Sequence, residues 1–256
     1  MKAAASLRAA YGLLRSLWLY RRPGRQRALR RFYRSFVGPG DVVFDIGAHV
    51  GDRTRAFAGL GARVVALEPN PELAARLKRA FSGRAAIEVV EAAAGDAVGR
   101  ATLHVSAATP TVSSLNAAWT ERVAARNAGF ADVCWDRPVE VPVTTLARLI
   151  QRHGEPAFAK IDVEGHESRV LAGLDRPLPA LSFEFVRGTL DDAGDCVERL
   201  AALGAYEYNA VEGERRRFLW PRWRSPEAVR DWLAAGADGL ASGDLYARRA
   251  RATLRR

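Results

Sequence analysis

One stretch constrains this chain more than any other: Val42-Val43-Phe44-Asp45-Ile46-Gly47-Ala48-His49-Val50-Gly51. An apolar run ends in an acid, two glycines follow four apart, and a helical pattern starts at Asp52. A second apolar run, Arg63-Val64-Val65-Ala66-Leu67, closes on Glu68-Pro69-Asn70. Strand, glycine turn, helix, strand and acid form the front half of a nucleotide-binding α/β unit.

The turn limits what it can hold. A dinucleotide fingerprint needs a glycine two residues after the first, so that backbone can approach a pyrophosphate. His49 stands there, with a bulky ring. Asp45 beside the turn repels phosphate and suits an ammonium. The amino acid end of S-adenosylmethionine fits both constraints. Glu68, 21 residues after Gly47, can accept from both hydroxyls of a ribose.

Composition matters mainly through its distribution. The 256 residues are 48% hydrophobic, enough for one sizeable α/β domain with appendages. Residues 1–37 carry ten Lys/Arg and no acid, and the remainder holds 29 basic and 29 acidic residues. The net charge of +10 thus belongs to an N-terminal extension, and the neutral domain argues against a nucleic-acid partner. Cys134 and Cys196 make neither a metal spacing nor a disulfide framework, which points to a reducing, cytoplasmic compartment.

Residues 3–20 read as a helix with Leu7, Tyr11, Leu14 and Trp18 on one face and arginines on another. Two readings stay open. The helix either lies on the inner face of an anionic membrane or docks its apolar face on the domain. Pro23-Gly24 breaks it, and a second basic helix covers about 25–36. The expected domain runs over 38–247, followed by a basic tail over 248–256. Crossover helices are expected at Asp52 to Gly59 and Pro71 to Phe81, the latter capped by Asn70. Ile87–Val90 reads as the third strand.

An insertion, about 100–145, contains an exposed strand at Arg100–Val105 and a polar loop holding Ser113 and Ser114. A helix with Trp119 follows, then a short strand at Val139–Val143 that Pro142 assigns to an edge. Substrate recognition is placed in this insertion, at Ser113 and Ser114. After Leu181–Val186 and a helix at Asp191–Leu203, Tyr206–Val211 and Arg217–Trp220 read as a closing β pair. Ser225 caps a last helix running to about Ala235.

Ligands of open α/β sheets sit outside the carboxyl ends of the strands. Asp45, Glu68, Asp96, Asp162 and Glu184 all fall at or near such ends. Asp96, after the third strand, is placed to accept from an adenine amine. In Phe158-Ala159-Lys160-Ile161-Asp162-Val163-Glu164-Gly165-His166-Glu167, a strand ends in clustered acids. Lys160 shares a side of that strand with Asp162, placed to pair with an acid or to steer an anionic acceptor.

The blocks F-D-I-G-A-H-V-G, L-E-P-N-P, K-I-D-V-E-G-H-E and S-F-E-F resemble FkbM-type S-adenosylmethionine-dependent methyltransferases, over about Val42 to Val186. The resemblance implies a Rossmann-like class I methyltransferase fold, with a seven-stranded, mostly parallel sheet in the order 3-2-1-4-5-7-6. It implies S-adenosylmethionine as cofactor and O-methylation of a sugar, glycan, lipid or natural-product hydroxyl. Carried over by position, Asp45, Gly47 and Gly51 hold the methionine end, Glu68 the ribose and Asp96 the adenine, with His49 and Pro69 also among the cofactor-binding residues. Asp162 lies by the amine or methyl. His49 departs from the small or amide residue commoner at its position.

Candidates for the base are Asp162, Glu164, His166 and Glu184, while Glu164 and Glu167 also suit the first turn of the following helix. No metal ligand is assigned, because no spacing compels one. A divalent metal on Asp162, Glu164 and Glu184 is the alternative use of these oxygens. Two other functions compete: an RNA methyltransferase using the basic arm, and a catalytically silent binding module of the same fold. The oligomeric state is not indicated.

Overall fold

The computed structural model describes residues 24–106 and 112–250. The expected helix over 3–20, the start of the polar loop and the end of the tail lie outside the described residues. The first helix, α1 (Arg25–Tyr33), buries Leu29 and Tyr33 and exposes Arg27, Arg31 and Arg34. It leads to β1 (Val42–Ile46), α2 (Asp52–Ala58), β2 (Arg63–Leu67), α3 (Pro71–Ala80) and β3 (Ile87–Val90). Helix α3 starts where its sequence dictates. The Asn70 side chain accepts from Glu72 N at 3.1 Å, Pro71 opens the first turn, and Lys78 and Arg79 occupy the last.

The chain then leaves the main sheet. Strands β4 (Ala93–Ala94), β5 (Gly99–Val105) and β6 (Arg137–Thr144) form a separate three-stranded sheet, with α4 (Ala117–Arg126) between β5 and β6. Strand β6 is the middle strand of that sheet, not the edge that Pro142 suggested. Strand β4 reaches only Val143 and Thr144, so Pro142 faces no partner on that side.

Helix α5 (Leu146–His153), β7 (Phe158–Ile161), α6 (Glu167–Ala172), β8 (Ala180–Val186), α7 (Leu190–Leu203), β9 (Tyr206–Glu212), α8 (Pro226–Ala234) and β10 (Ser242–Arg249) complete the chain. The order across the main sheet is β3-β2-β1-β7-β8-β10-β9. These labels differ from the expected 3-2-1-4-5-7-6 because the second sheet takes three of them. Counted through its own seven strands, the main sheet runs 3-2-1-4-5-7-6.

Strand β10 is a correction. The expected pairing of 206–211 with 217–220 is replaced by an antiparallel β9–β10 ladder, and residues 217–224 touch β9 only through isolated bridges. Buried on both faces and carrying Gly243 and Asp244, β10 shows no alternation from which to read a strand. Arg248 and Arg249, assigned to the tail, close this strand.

The five strands β3, β2, β1, β7 and β8 run parallel. Their carboxyl ends therefore open on one side. Two rungs cross the sheet there. Ala66, Asp45, Lys160, Ser182 and Tyr246 align in the first. Asp244 pairs with Glu184 one step further out.

On one face Phe44, Ile161, Leu181 and Phe183 join the core under α5, α6, α7 and α8. On the other, α1 packs Leu29 and Tyr33 against Val43, Phe57, Phe158 and Tyr246. The Tyr33 ring lies 4.7 Å from Phe57 and 5.6 Å from Phe158, edge-on or tilted. The first described helix is thus an integral part of the core. Tyr33→Ala should lower unfolding free energy by about 3–5 kcal/mol, read by denaturant titration. Tyr33→Phe, which loses only a 3.4 Å contact to the Tyr246 hydroxyl, should cost about 1 kcal/mol or less.

Candidate active site

The tips of β1, β2, β7 and β8 surround a cavity of about 220 Å³, partly open to solvent. Asp45, Gly47, His49, Glu68, Pro69, Ser113, Lys160, Asp162, Glu164 and Glu184 line it. The sequence also pointed to Gly51, Asp96, Ser114 and His166, and these four do not line it.

Each of the four has a physical reason. At Gly51, with φ of 76°, an added Cβ would stand 2.7 Å from the Phe81 ring and 2.8 Å from Leu77 Cδ2. This glycine admits α3, not a cofactor. Asp96 is exposed and bound to Arg169 at 2.6 Å, and that hydrogen bond holds its carboxyl below the usual range. Ser114 donates to Glu164 O at 2.6 Å and accepts from Asn116 N at 3.0 Å, so it braces the loop. His166 begins α6 beside Asp96 and Arg169, where burial lowers its pKa. After β3 it is Ala92, Ala93 and Ala94, with Leu103, that line the cavity.

Gly47 answers to a backbone demand. Its φ is 82°, and a Cβ there would collide with the Asp162 carbonyl. Strands β1 and β7 can approach this closely only over a glycine. Glu68 is 5% exposed, and its carboxylate accepts from His49 N at 2.7 Å and Asn70 N at 2.9 Å. One acceptor position on each oxygen is used, so each keeps capacity for a ligand hydroxyl. Burial outweighs these two bonds and pushes its pKa up to about 7.

Burial likewise pushes Asp45, which accepts from Thr54 Oγ1, up to about 6. It pushes His49 down to about 4. The imidazole in the cavity wall is therefore neutral at pH 7 and does not repel a cationic ligand.

The opposite wall is acidic. Lys160, 1% exposed, donates to Asp162 Oδ2 at 3.1 Å and Asp244 Oδ1 at 3.0 Å. Burial opposes the Asp162 charge, yet Lys160 and Arg53 outweigh it and hold its carboxyl below the usual range. Glu164 and Glu184 have no such partner. Burial, then the neighbouring acids, raise both far above ordinary carboxyls.

Glu164 adopts φ of 55° and is followed by Gly165 at 86°. A Cβ on Gly165 would run into the Trp119 ring, and Asn116 Nδ2 donates to Gly165 O at 2.8 Å. Glu167 turns back and accepts from Val163 N at 3.0 Å. It serves the helix start, the second role the sequence allowed it.

Sequence reasoning missed three contributors. Asp244 lies on the unrecognised strand. Arg53 and Glu214 line the cavity and pair at 2.7 Å, and Arg25 of α1 reaches the same Glu214 at 3.1 Å. These partners are far apart in the chain, and no spacing announces them.

A mostly parallel sheet with this switch-point cavity, a buried acid at the tip of β2 and a neutral-to-acidic turn defines a class I methyltransferase-type domain. The methyltransferase FkbM domain family matches residues 45–236. The chain belongs to that family, whose members depend on S-adenosylmethionine.

It is 34% identical over 158 residues to the 31-O-demethyl-FK506 methyltransferase FkbM of Streptomyces tacrolimicus. That match spans 54% of this chain and 60% of the relative. Among solved structures, a precorrin-6y C5,15-methyltransferase from Geobacter metallireducens superposes with a TM-score of 0.46 at 14% identity, over 88% of this chain and 86% of that one. A TehB-like methyltransferase from Corynebacterium glutamicum gives 0.44 at 13%, over 87% and 88%.

The cavity fits the family's cofactor. Glu68 retains acceptor capacity for a ribose, the alanine wall suits a flat base, and the Asp45 and Asp162 side suits an ammonium. Below its raised pKa Glu68 carries a proton and accepts more weakly. S-adenosylhomocysteine should therefore bind more tightly as pH rises from about 6 to about 8. Glu68→Gln should weaken binding about tenfold or more and flatten that rise. Calorimetry across this range reads both effects.

Proposed function

We propose that this chain transfers a methyl group from S-adenosylmethionine to a hydroxyl oxygen of a sugar, glycan, lipid or natural-product acceptor. One observation carries the reading. In the same cavity, Asp162, Glu164 and Glu184 present oxygens within 4.8 Å of one another. Among the described residues a buried Oε2 on each glutamate accepts no hydrogen bond. Carboxylates with unused lone pairs suit an acceptor that arrives with a hydroxyl and must lose its proton. The name of the Streptomyces relative, which specifies an O-methyl group, agrees with oxygen as the target.

When bound, S-adenosylmethionine supplies an electrophilic methyl carbon on a positively charged sulfur. The residues of this chain do the rest. Glu68 fixes the ribose, and the Ala92–Ala94 wall fixes the base. Asp45, Gly47 and Asp162 set the depth of the methionine end. The acceptor enters past Ser113 and the acid turn. Its oxygen would form a bond to the methyl carbon as the carbon–sulfur bond breaks, leaving S-adenosylhomocysteine, and the hydroxyl proton would pass to an ionised member of the carboxylate cluster, with Glu184 a candidate base in its ionised form. Alignment of two reactants in one cavity supplies about 7–11 kcal/mol of barrier reduction in favourable cases, and a positioned base adds about 10²–10⁴-fold.

The decisive experiment incubates the protein with methyl-labelled cofactor and a panel of hydroxylated acceptors, and measures S-adenosylhomocysteine release. Failure to bind S-adenosylhomocysteine would overturn the reading. Glu184→Gln should keep cofactor affinity and reduce turnover by about 10²–10⁴-fold. An equal loss of both would remove Glu184 from the acceptor side.

We also read residues 1–37 as a peripheral contact for an anionic membrane. The described residues hold no helix long and apolar enough to cross one. Helix α1 keeps Arg27, Arg31 and Arg34 exposed while its other face is buried in the core. The protein should co-sediment with phosphatidylserine vesicles, and charge reversal at these three arginines should abolish that. Binding that survives the reversal would count against the reading.

A further inference from the structure

The acid cluster has a charge problem that the protein itself does not solve. Asp162 stands at the tip of β7, Glu164 in the turn that follows, and Glu184 near the end of β8. Their oxygens lie within 4.8 Å of one another. Lys160 is the cation that both glutamates feel, but its ammonium donates to Asp162 and Asp244 instead. Among the described residues no hydrogen bond reaches Glu164 Oε2 or Glu184 Oε2, although both atoms are buried. Both side chains are partly buried and line the cavity. A buried polar atom without a partner is expensive and rare, and a cluster of them points to a missing ligand.

The geometry points to a site for one divalent, oxygen-seeking cation held by Asp162, Glu164 and Glu184. Oxygen ligands of such cations sit at about 2.0–2.6 Å from the ion, so two ligands of one ion lie no more than about 5 Å apart, a limit that the cluster's oxygens respect. The donor set contains only carboxylate oxygen, which selects hard cations over zinc or copper. The Asp162 side chain is 34% exposed, so the site opens to the cavity and leaves coordination positions for water or an acceptor.

The turn is braced from the insertion. Glu164 sits in a left-handed conformation that a non-glycine residue seldom adopts. Ser114, Asn116 and Trp119 clamp it there.

On the methyltransferase reading, on which this role rests, the cation presents an oxygen of the acceptor to the methyl group. Each carboxylate supplies one oxygen to the cation, and the second oxygens stay available for the acceptor's proton. An acceptor with two neighbouring oxygens, such as a diol or a hydroxy acid, suits such a site best.

The test is a titration of the full-length, chelator-stripped protein with Mn²⁺, free Mn²⁺ being read by electron paramagnetic resonance. One ion should bind per chain, and Mg²⁺ or Ca²⁺ should displace it. Glu164→Gln and Glu184→Gln should each weaken it by at least about tenfold. Mn²⁺ should raise the thermal midpoint of the wild type, and that rise should shrink in both variants. Glutamine keeps the shape of each side chain, and S-adenosylhomocysteine binding retained by each variant shows that it is folded.

Protein that binds S-adenosylhomocysteine but no Mn²⁺ would overturn the site. Equal Mn²⁺ affinity in both variants, or stoichiometric displacement of Mn²⁺ by S-adenosylhomocysteine, would do the same. The last result would make the cluster an ammonium pocket. Mn²⁺ binding without S-adenosylhomocysteine binding would keep the cation site and sink the methyltransferase reading.

Discussion

The ammonium of Lys160 is the interaction on which the site depends. It is 1% exposed and lies between Asp162 on β7 and Asp244 on β10. Taking three charges out of water is unfavourable, and their attraction repays it only when the geometry is good. Here the sheet provides that geometry. Strand β10 enters antiparallel beside β8, which carries Asp244 to the end where β7 delivers Asp162. A parallel strand in that place would reverse the direction in which the chain passes the cavity. The single inverted strand thus does more than close the sheet. It supplies the second anion that keeps Lys160 buried and leaves Asp162 ionised at the cavity wall.

The second constraint is the close passage of backbone around that wall. Gly47 lets the β1 turn touch the Asp162 carbonyl, and Gly165 lets the acid turn lie against the Trp119 ring. Between these contacts the segment Asp162–Gly165 has little freedom, and Glu164 is forced to φ of 55°. The insertion is therefore mechanically part of the site. Its helix α4 holds the acid turn, while β4 and β5 place Ala93, Ala94 and Leu103 on the other wall. A change in the insertion that moves Ser114, Asn116 or Trp119 also moves the turn that carries Glu164.

Much of this was legible in the sequence, and the division between legible and hidden is physical. Strand tips are local facts. An apolar run ending in an acid and a glycine announces where the chain leaves a sheet, so Asp45, Glu68, Asp162 and Glu184 were placed correctly at the cavity. Partners are nonlocal facts. Asp96 also follows a strand, yet Arg169 on α6 draws it to the surface. Asp244 was missed because a strand buried on both faces shows no alternation. The link from Arg25 and Arg53 to Glu214 was missed because residues so far apart share no periodicity. Gly51 misled for another reason. A positive φ and a close approach are equally needed for a ligand and for a neighbouring phenyl ring, and here the ring is Phe81.

Charge across the cavity narrows what can enter. On the cofactor side burial keeps His49 neutral and lets Glu68 hold a proton near neutrality. That wall tolerates a cationic sulfur beside it. On the other side the cations are already committed: Lys160 to two aspartates, Arg53 to Glu214. Two buried carboxylate oxygens there, on Glu164 and Glu184, lack a partner among the described residues. Of the two roles open to Lys160, pairing with acids is the one seen. On the proposed reading such a cavity favours a neutral, hydroxyl-bearing acceptor. A carboxylated or phosphorylated one fits only if it brings a cation with it or finds one already bound among Asp162, Glu164 and Glu184.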